Sequence, residues 1–517
     1  MAEKGLRRRG SPRARTSLAF VACALLCLLF ADIAITTVNP WTEMGRLLRG
    51  LATPDLTLLD EVGTALLRTL AFAFTGVSLG SVAGFILALG FRSRAIRVGC
   101  AFVRAIHELF WALIFLQFFG LHPLTGVLAI AIPFAGIFAK VYAEILDETD
   151  PTPLRVLPQG SDLLSGFLFA RVPDAWPHLL SYTAYRLECG LRSSAILGFV
   201  GLPTLGFYLE SAFSQGHFSE VGALLLLFYV LIATLRFWVR PVLVPLYVLA
   251  APFFLGTGLP IVWGNLVRFV TDDIVPAPLR HAASLYSGEA WAATADWFGQ
   301  VLTTQALPGI VATLVLTQIA LVVTGIISLL CFPLISEHFA GPRRRLLGHL
   351  FLVIARSTPE YLLAYMLLQL WGPSMLPGIV ALAIHNGAII GHLIGRHSNA
   401  IALRADACRG LDRYCYELLP RLYGAFLAFL FYRWEVIMRE TAILGILGIH
   451  TLGFFVDSAI QDIRFDVAFV LILITALLNI GIDAISRRLR RRLRLQTTIS
   501  ARHARSDSSC VALQGRR

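Results

Sequence analysis

Apolar runs of roughly twenty residues recur along this chain, separated by short arginine clusters. In hydrocarbon only helices or closed barrels satisfy every backbone polar group, and a crossing helix needs about 20 apolar residues. Charged residues make up 15% of the chain and hydrophobic ones 57%, whereas soluble domains carry about 25% charge. The chain therefore reads as an all-α, polytopic membrane protein. Spans fall near 17–38, 62–91, 98–120, 123–146, 176–199, 219–239, 241–263, 306–335, 346–371, 375–397, 423–447 and 465–487, about 12 transmembrane helices.

The arginines set the orientation. Arg7 to Arg15, Arg92 to Arg97, Arg236 with Arg240, Arg343 to Arg345 and Arg487 to Arg494 all fall on one side of a twelve-span chain. By the positive-inside rule that side is cytoplasmic, with both termini. The net charge of +12 is thus membrane topology, and no nucleic-acid partner is expected. The apolar run from Leu18 to Val38 exceeds the core of a cleavable signal, about 7–15 residues, so it reads as an uncleaved first span. The acid-rich 264–305 insert, with Trp291 and Trp297, falls outside, along the interface. The eight cysteines form no CxxC pair and read as small buried hydrophobes.

The chain repeats itself. Tyr185–Ala212 aligns without gaps to Tyr432–Ala459 at an offset of 247, with 15 of 28 positions identical. The identities include Arg186/Arg433, Glu188/Glu435 and Arg192/Arg439, and the glycines Gly198/Gly445, Gly201/Gly448 and Gly206/Gly453. Upstream the offset is 252, pairing RAIHELFWALIFLQFFG from Arg104 with RSTPEYLLAYMLLQLWG from Arg356. Matched elements share one orientation, so the repeat is parallel. The divisions are a basic tail 1–16, a first half 17–240, a second half 241–488 and a basic tail 489–517, with cytoplasmic loops at 150–173 and 400–420.

Those loops are alike. Gly160 lies 13 residues before Pro173, and Ala407 lies 13 before Pro420. A small residue, a short amphipathic helix and a terminating proline resemble the coupling loop of ABC importer permeases. The loop also fits an ordinary amphipathic connector. The chain has no GxxxxGK[ST] motif, and its lysines are only Lys4 and Lys140, so no P-loop ATPase is encoded here.

Taken together the motifs resemble the permease subunit of phosphonate-type ABC importers, with two copies fused. The resemblance is carried by Arg104-x-x-x-Glu108-Leu-x-Trp111, Gly126-Val-Leu-Ala, Gly136-Ile-Phe-Ala-Lys140, Ser181-Tyr-Thr-Ala-Tyr-Arg186-Leu-Glu188 with Arg192, and Ile196-Leu-Gly198-Phe-Val-Gly201. It covers most of both halves. His392 stands where the second half's lysine would be, and the last glycine run is altered. The resemblance implies the type I ABC importer permease fold and a bacterial inner-membrane location. It implies a phosphonate, phosphite or related phosphorus oxyanion as substrate. Partners would be ATPase subunits (as a homodimer) docked at Gly160, Pro173, Ala407 and Pro420, and a periplasmic or lipoprotein substrate-binding protein. No catalytic residue, cofactor or metal is expected. The alternatives are an ABC permease for another small anion or an ion-coupled secondary transporter; a membrane enzyme ranks last.

A charge at the bilayer centre costs about 2.5–3.5 kcal/mol on insertion scales. Arg186, Glu188, Arg192, Arg433, Glu435, Arg439, Glu108 and Glu360 must therefore be paired or face a pathway. Glu188 and Arg192 are i,i+4 and can pair; Arg186 points elsewhere, with Glu108 the obvious partner. Two readings stand open: a salt-bridge lattice locking helices together, or an anion path in which Arg192 and Arg439 meet the phosphoryl group. His385, Asn386, His392 and His397 read as pore lining or interhelical hydrogen bonds, their spacing being unlike that of a helical metal pair.

Overall fold

The computed structural model describes residues 11–37, 39–150, 152, 162–240, 242–282, 287–404 and 406–495, and these are helical with no strand. We number the principal helices α1 (Pro12–Cys27), α2 (Pro40–Ala52), α3 (Leu59–Leu89), α4 (Arg94–Ala105), α5 (Glu108–Phe119), α6 (Pro123–Glu148), α7 (Val172–Ile196), α8 (Leu205–Ser214), α9 (Phe218–Trp238) and α10 (Val244–Phe254). They continue as α11 (Gly288–Val301), α12 (Leu307–Cys331), α13 (Pro342–Ser357), α14 (Glu360–Trp371), α15 (Met375–Asn399), α16 (Leu419–Ile446), α17 (Leu452–Gln461) and α18 (Phe465–Arg492).

Among the described residues, six helices are long and apolar enough to cross a membrane, and three bent pairs pass the same test when joined. The twelve expected spans thus become nine by length and apolarity. Of the other three, α1 has 16 residues and α10 has 11. The third, α16, has 28 residues but carries Arg421, Arg433, Glu435, Arg439 and Glu440. The spans expected at 98–120 and 346–371 are not straight: α4–α5 and α13–α14 each turn by 89°. The expected insert at 264–305 is not separate from the next span either. Helix α11 runs through a π-helical turn, Leu302–Ala306, into α12. Phe269 of the insert packs against Phe118 and Phe465, and the Ala277 N–H donates to Asp466 at the start of α18 (3.1 Å).

The two halves interlock. Helix α1 leads the first half in sequence but packs on α12, with Phe20 against Phe431 and Trp434. Helix α10 opens the second half but packs on α3. The strand-like stretch after α1 bonds onto the second half through Thr36 N to Trp371 O (2.9 Å) and Met375 N to Asp32 O (2.8 Å). The central helices α6 and α15 are the most deeply buried of the six straight spans.

The glycine runs of the repeat make a tight break in each half. Gly201 and Gly448 sit at φ +87° and +86°, a left-handed turn that side chains resist. A Cβ on Gly206 or Gly453 would overlap the carbonyl of Ala195 or Ala442, so α7 meets α8 and α16 meets α17 backbone to backbone. A buried threonine closes each break. Thr69 Oγ1 accepts from Leu205 N, and Thr313 Oγ1 from Leu452 N, both at 2.9 Å.

Candidate functional site

The breaks place the charges. Glu108 opens α5 and Glu360 opens α14, each just past an 89° turn. The unpaired N–H groups and positive dipole end of a helix favour a carboxylate there. The carbonyls left at the end of α4 are capped from the other half: Arg439 Nη1 donates to Arg104 O (3.1 Å) and Asn479 Nδ2 to Ala105 O (2.7 Å). In the matching turn of the second half, Thr358 O accepts from His385 Nδ1 (2.8 Å), and the Thr358 and Tyr229 hydroxyls lie 2.6 Å apart.

Between these turns lies a cavity of ≈ 240 Å³ walled by both halves. Seven of the eight residues expected along the path line it: Glu108, Arg186, Arg192, Glu360, Arg433, Glu435 and Arg439. Glu188 does not. It faces a second cavity of ≈ 420 Å³, with Arg192, Arg356 and Arg433. The central cavity shares Val141, Tyr182 and Tyr185 with a third, which reaches Thr149 and Asp174 beside the expected coupling loop. The two cavities therefore adjoin on that side of the molecule. Beyond Tyr361, on the cavity wall, the Phe199 and Tyr361 rings meet edge to face across the halves, with centroids 5.2 Å apart.

The pairings differ from those expected. Among the described residues Arg186 makes no ion pair with Glu108, and Glu188 none with Arg192. Arg186 Nε donates to Tyr182 Oη (3.0 Å) and its guanidinium stands over the Phe134 and Tyr182 rings. Arg192 crosses to the second half, 3.4 Å from His385 Nε2, as Arg439 crosses to the first. An i,i+4 spacing allows an ion pair on one helix, but these side chains meet a buried acceptor on the facing half instead.

The ion-pair lattice expected as one alternative exists on one side only. Arg104 pairs with Asp483 (2.8 Å) and Glu435 (3.5 Å), and Arg487 also bonds Asp483. The repeat-related Arg356 and Glu188 flank the second cavity instead. Sequence reasoning passed over Asp483, Tyr182 and Glu440. A signal for Glu440 was present, since it interrupts the repeat where the first half has Ser193.

His385 does line the cavity, and Asn386 Nδ2 bonds Glu440 Oε2 (2.9 Å). His392 packs on His349 and His397 stacks on Phe429. Glu360, His385 and Glu440 bring ligand atoms within 4.8 Å of one another, an arrangement able to hold a metal ion. The Arg192 guanidinium already supplies positive charge to that cluster, and a metal ion would have to displace it.

At the loops, Gly160 lies outside the described residues. Pro173 and Pro420 are exposed in the first turns of α7 and α16. Each is the second residue of its helix, directly after the π-helical turns Phe167–Arg171 and Arg413–Leu418, so neither ends a separate helix. Ala407 is half-buried in a mostly exposed loop ahead of Pro420.

A family model described as the inner membrane component of binding-protein-dependent transport systems matches residues 330–495. The chain is 26% identical over 478 residues to the phosphate-import permease protein PhnE of Mycolicibacterium smegmatis, covering 86% of this chain and 88% of that one. It is 27% identical over 216 residues to the phosphite transport system permease protein PtxC of Stutzerimonas stutzeri, 40% of this chain and 78% of that one. A provisionally named cryptic phosphonate transport system permease protein of Escherichia coli, PhnE2, is 30% identical over 112 residues, 92% of its length and 22% of this chain. The chain belongs to this permease family. The permease is thus a multi-pass membrane protein of the ABC importer type, and its match to PhnE runs through both halves. No solved structure matches it.

Proposed function

We propose that the permease forms the translocation path of an ATP-driven importer for phosphonates or related phosphorus oxyanions. The observation that supports this best is the cavity between the halves, walled by arginines from both and adjoining a second cavity that reaches Thr149 and Asp174. Guanidinium groups suit tetrahedral oxyanions because their planar fork donates two parallel hydrogen bonds. The names of the relatives, which specify phosphate import and phosphite and phosphonate transport, support the same class. In this reading the halves divide near residue 240, the chain lies in a bacterial inner membrane, and both termini are cytoplasmic. Two ATPase subunits, expected to be identical, dock on the loops that hold Gly160, Pro173, Ala407 and Pro420. A binding protein delivers substrate to the opposite face.

The test is reconstitution in proteoliposomes with an ATPase subunit and a binding protein encoded beside the permease. ATP-dependent uptake of phosphate, phosphite or methylphosphonate is expected. Absence of uptake of all three would remove the substrate assignment. Uptake by the permease alone, driven by an ion gradient, would make it a secondary transporter.

A further inference from the structure

Six cationic side chains line the central cavity, and they are not equivalent. Arg104 is held by Asp483 and Glu435. Arg192 and Arg439 each reach across to the opposite half, one to His385 and the other to the Arg104 carbonyl. Three remain: Arg186, Arg433 and Lys140. Among the described residues none of the three has a carboxylate within ion-pair distance, and Arg433 and Lys140 make no hydrogen bond. Arg186 and Arg433 are related by the 247-residue repeat, so the halves contribute one each.

Five carboxylates share the cavity: Glu435 faces Arg104, Glu108 accepts from Ser193 (3.2 Å), Glu440 accepts from Asn386, Glu360 lies 3.7 Å from His385 Nε2, and Glu144 is exposed. Six cations against five carboxylates leave the cavity formally positive. Arg186 spends its Nε on Tyr182, the flanking rings hold the guanidinium plane, and its other neighbour is the weak acceptor Cys189, so the Nη edge can turn to a stronger anionic ligand. The volume, ≈ 240 Å³, lies below the about 300–1,000 Å³ of drug-sized sites. That admits a phosphoryl group with at most a small substituent.

We propose that Arg186 and Arg433 are the anion-holding pair of the pathway, one guanidinium from each half gripping the oxygens of one tetrahedral oxyanion. Arg192 and Arg439 act as positioning residues that tie the halves around it. The proposal rests on the phosphorus-oxyanion reading and reverses the emphasis that the sequence placed on Arg192 and Arg439.

The experiment uses the full permease with its ATPase and binding protein. Arg186→Gln, Arg433→Gln and their double variant are compared with the Lys substitutions for assembly, binding-protein-stimulated ATP hydrolysis, and uptake of methylphosphonate and phosphite. The double Gln variant is expected to assemble and hydrolyse ATP while uptake falls by about tenfold or more, the scale of one lost charge-assisted contact. The Lys variants are expected to keep part of the uptake. Unchanged uptake in the double Gln variant overturns the proposal, and so does failure of both Gln and Lys variants to assemble, which would make the pair structural.

A second readout does not need the substrate. Cys189 lines the same cavity. In a chain lacking the other seven cysteines, a sulfonate-bearing thiol reagent is expected to label Cys189 faster than an ammonium-bearing one. Arg192 Nη2 lies 3.6 Å from Cys189 Sγ and keeps part of that preference, so the double Gln variant should lower it several-fold below that of the parent; an unchanged preference counts against the pair. If the wild type imports no phosphorus oxyanion but the labelling preference depends on both arginines, the substrate reading fails and the anion-holding pair stands.

Discussion

At the scale of single residues, the two breaks hang on Thr69 and Thr313. Each hydroxyl donates back to its own helix, to Ala65 O (2.7 Å) or Gly309 O (2.6 Å), and accepts the first N–H of the next helix. Alanine at either site leaves a buried N–H without a partner, which costs about 1–3 kcal/mol. Thr69→Ala and Thr313→Ala are expected to lower the thermal unfolding midpoint in detergent, while Val, equally unable to accept, gives no rescue. Asp483 presents a different case. Two arginines converge on it in a nearly water-free site. Asp483→Asn removes the nearer of Arg104's two countercharges, leaving Glu435 at 3.5 Å, and breaking one side of a buried pair costs up to about 3–5 kcal/mol. Loss of monodisperse protein on size exclusion is expected, with partial recovery when Arg104→Met is added.

At the scale of elements, the loops proposed to dock the ATPase carry a repeated feature outside the cavity. Phe169 and Tyr416 are 247 residues apart and lie in π-helical turns just before α7 and α16. They are 79% and 81% exposed, where a large apolar ring gains nothing from water. Each projects ahead of a proline-started helix that runs directly to the arginines of the cavity. Movement pressed on the ring thus has a stiff path to the centre. Phe169→Ala with Tyr416→Ala is expected to reduce co-purification of the ATPase subunit and to abolish binding-protein stimulation. Labelling of Cys189 should stay as in the wild type, because the cavity is untouched.

At the scale of the whole molecule, each half lends its leading helix to the other. Separate expression of 1–240 and 241–517 is expected to give two chains that co-purify, since α1 must find α12 and α10 must find α3. Deleting residues 1–30 removes Phe20 from Phe431 and Trp434. Destabilisation should then appear first in the second half, read by proteolysis at 400–420, although the deletion lies at the other end of the chain. Cleavage confined to the first half would contradict the interlocked packing.

Membrane residence, the tandem repeat and seven of the cavity's charged residues were legible in the sequence. Each follows from a local property: apolar run length, self-similarity, or the cost of charge in hydrocarbon. The glycines of the repeat were visible as identities, but the structure showed that Gly201 and Gly448 take a backbone that other residues resist. The partners of those charges were not legible. A heptad or i,i+4 spacing says which side chains share a helix face, not which way that face turns after an 89° break. Tertiary packing decided that Arg192 and Arg439 cross the interface, that Asp483 captures Arg104, and that Arg186 and Arg433 are left facing open space. In a low-dielectric interior a charge takes the nearest buried acceptor the fold brings to it, and that choice exists only once both halves are in place.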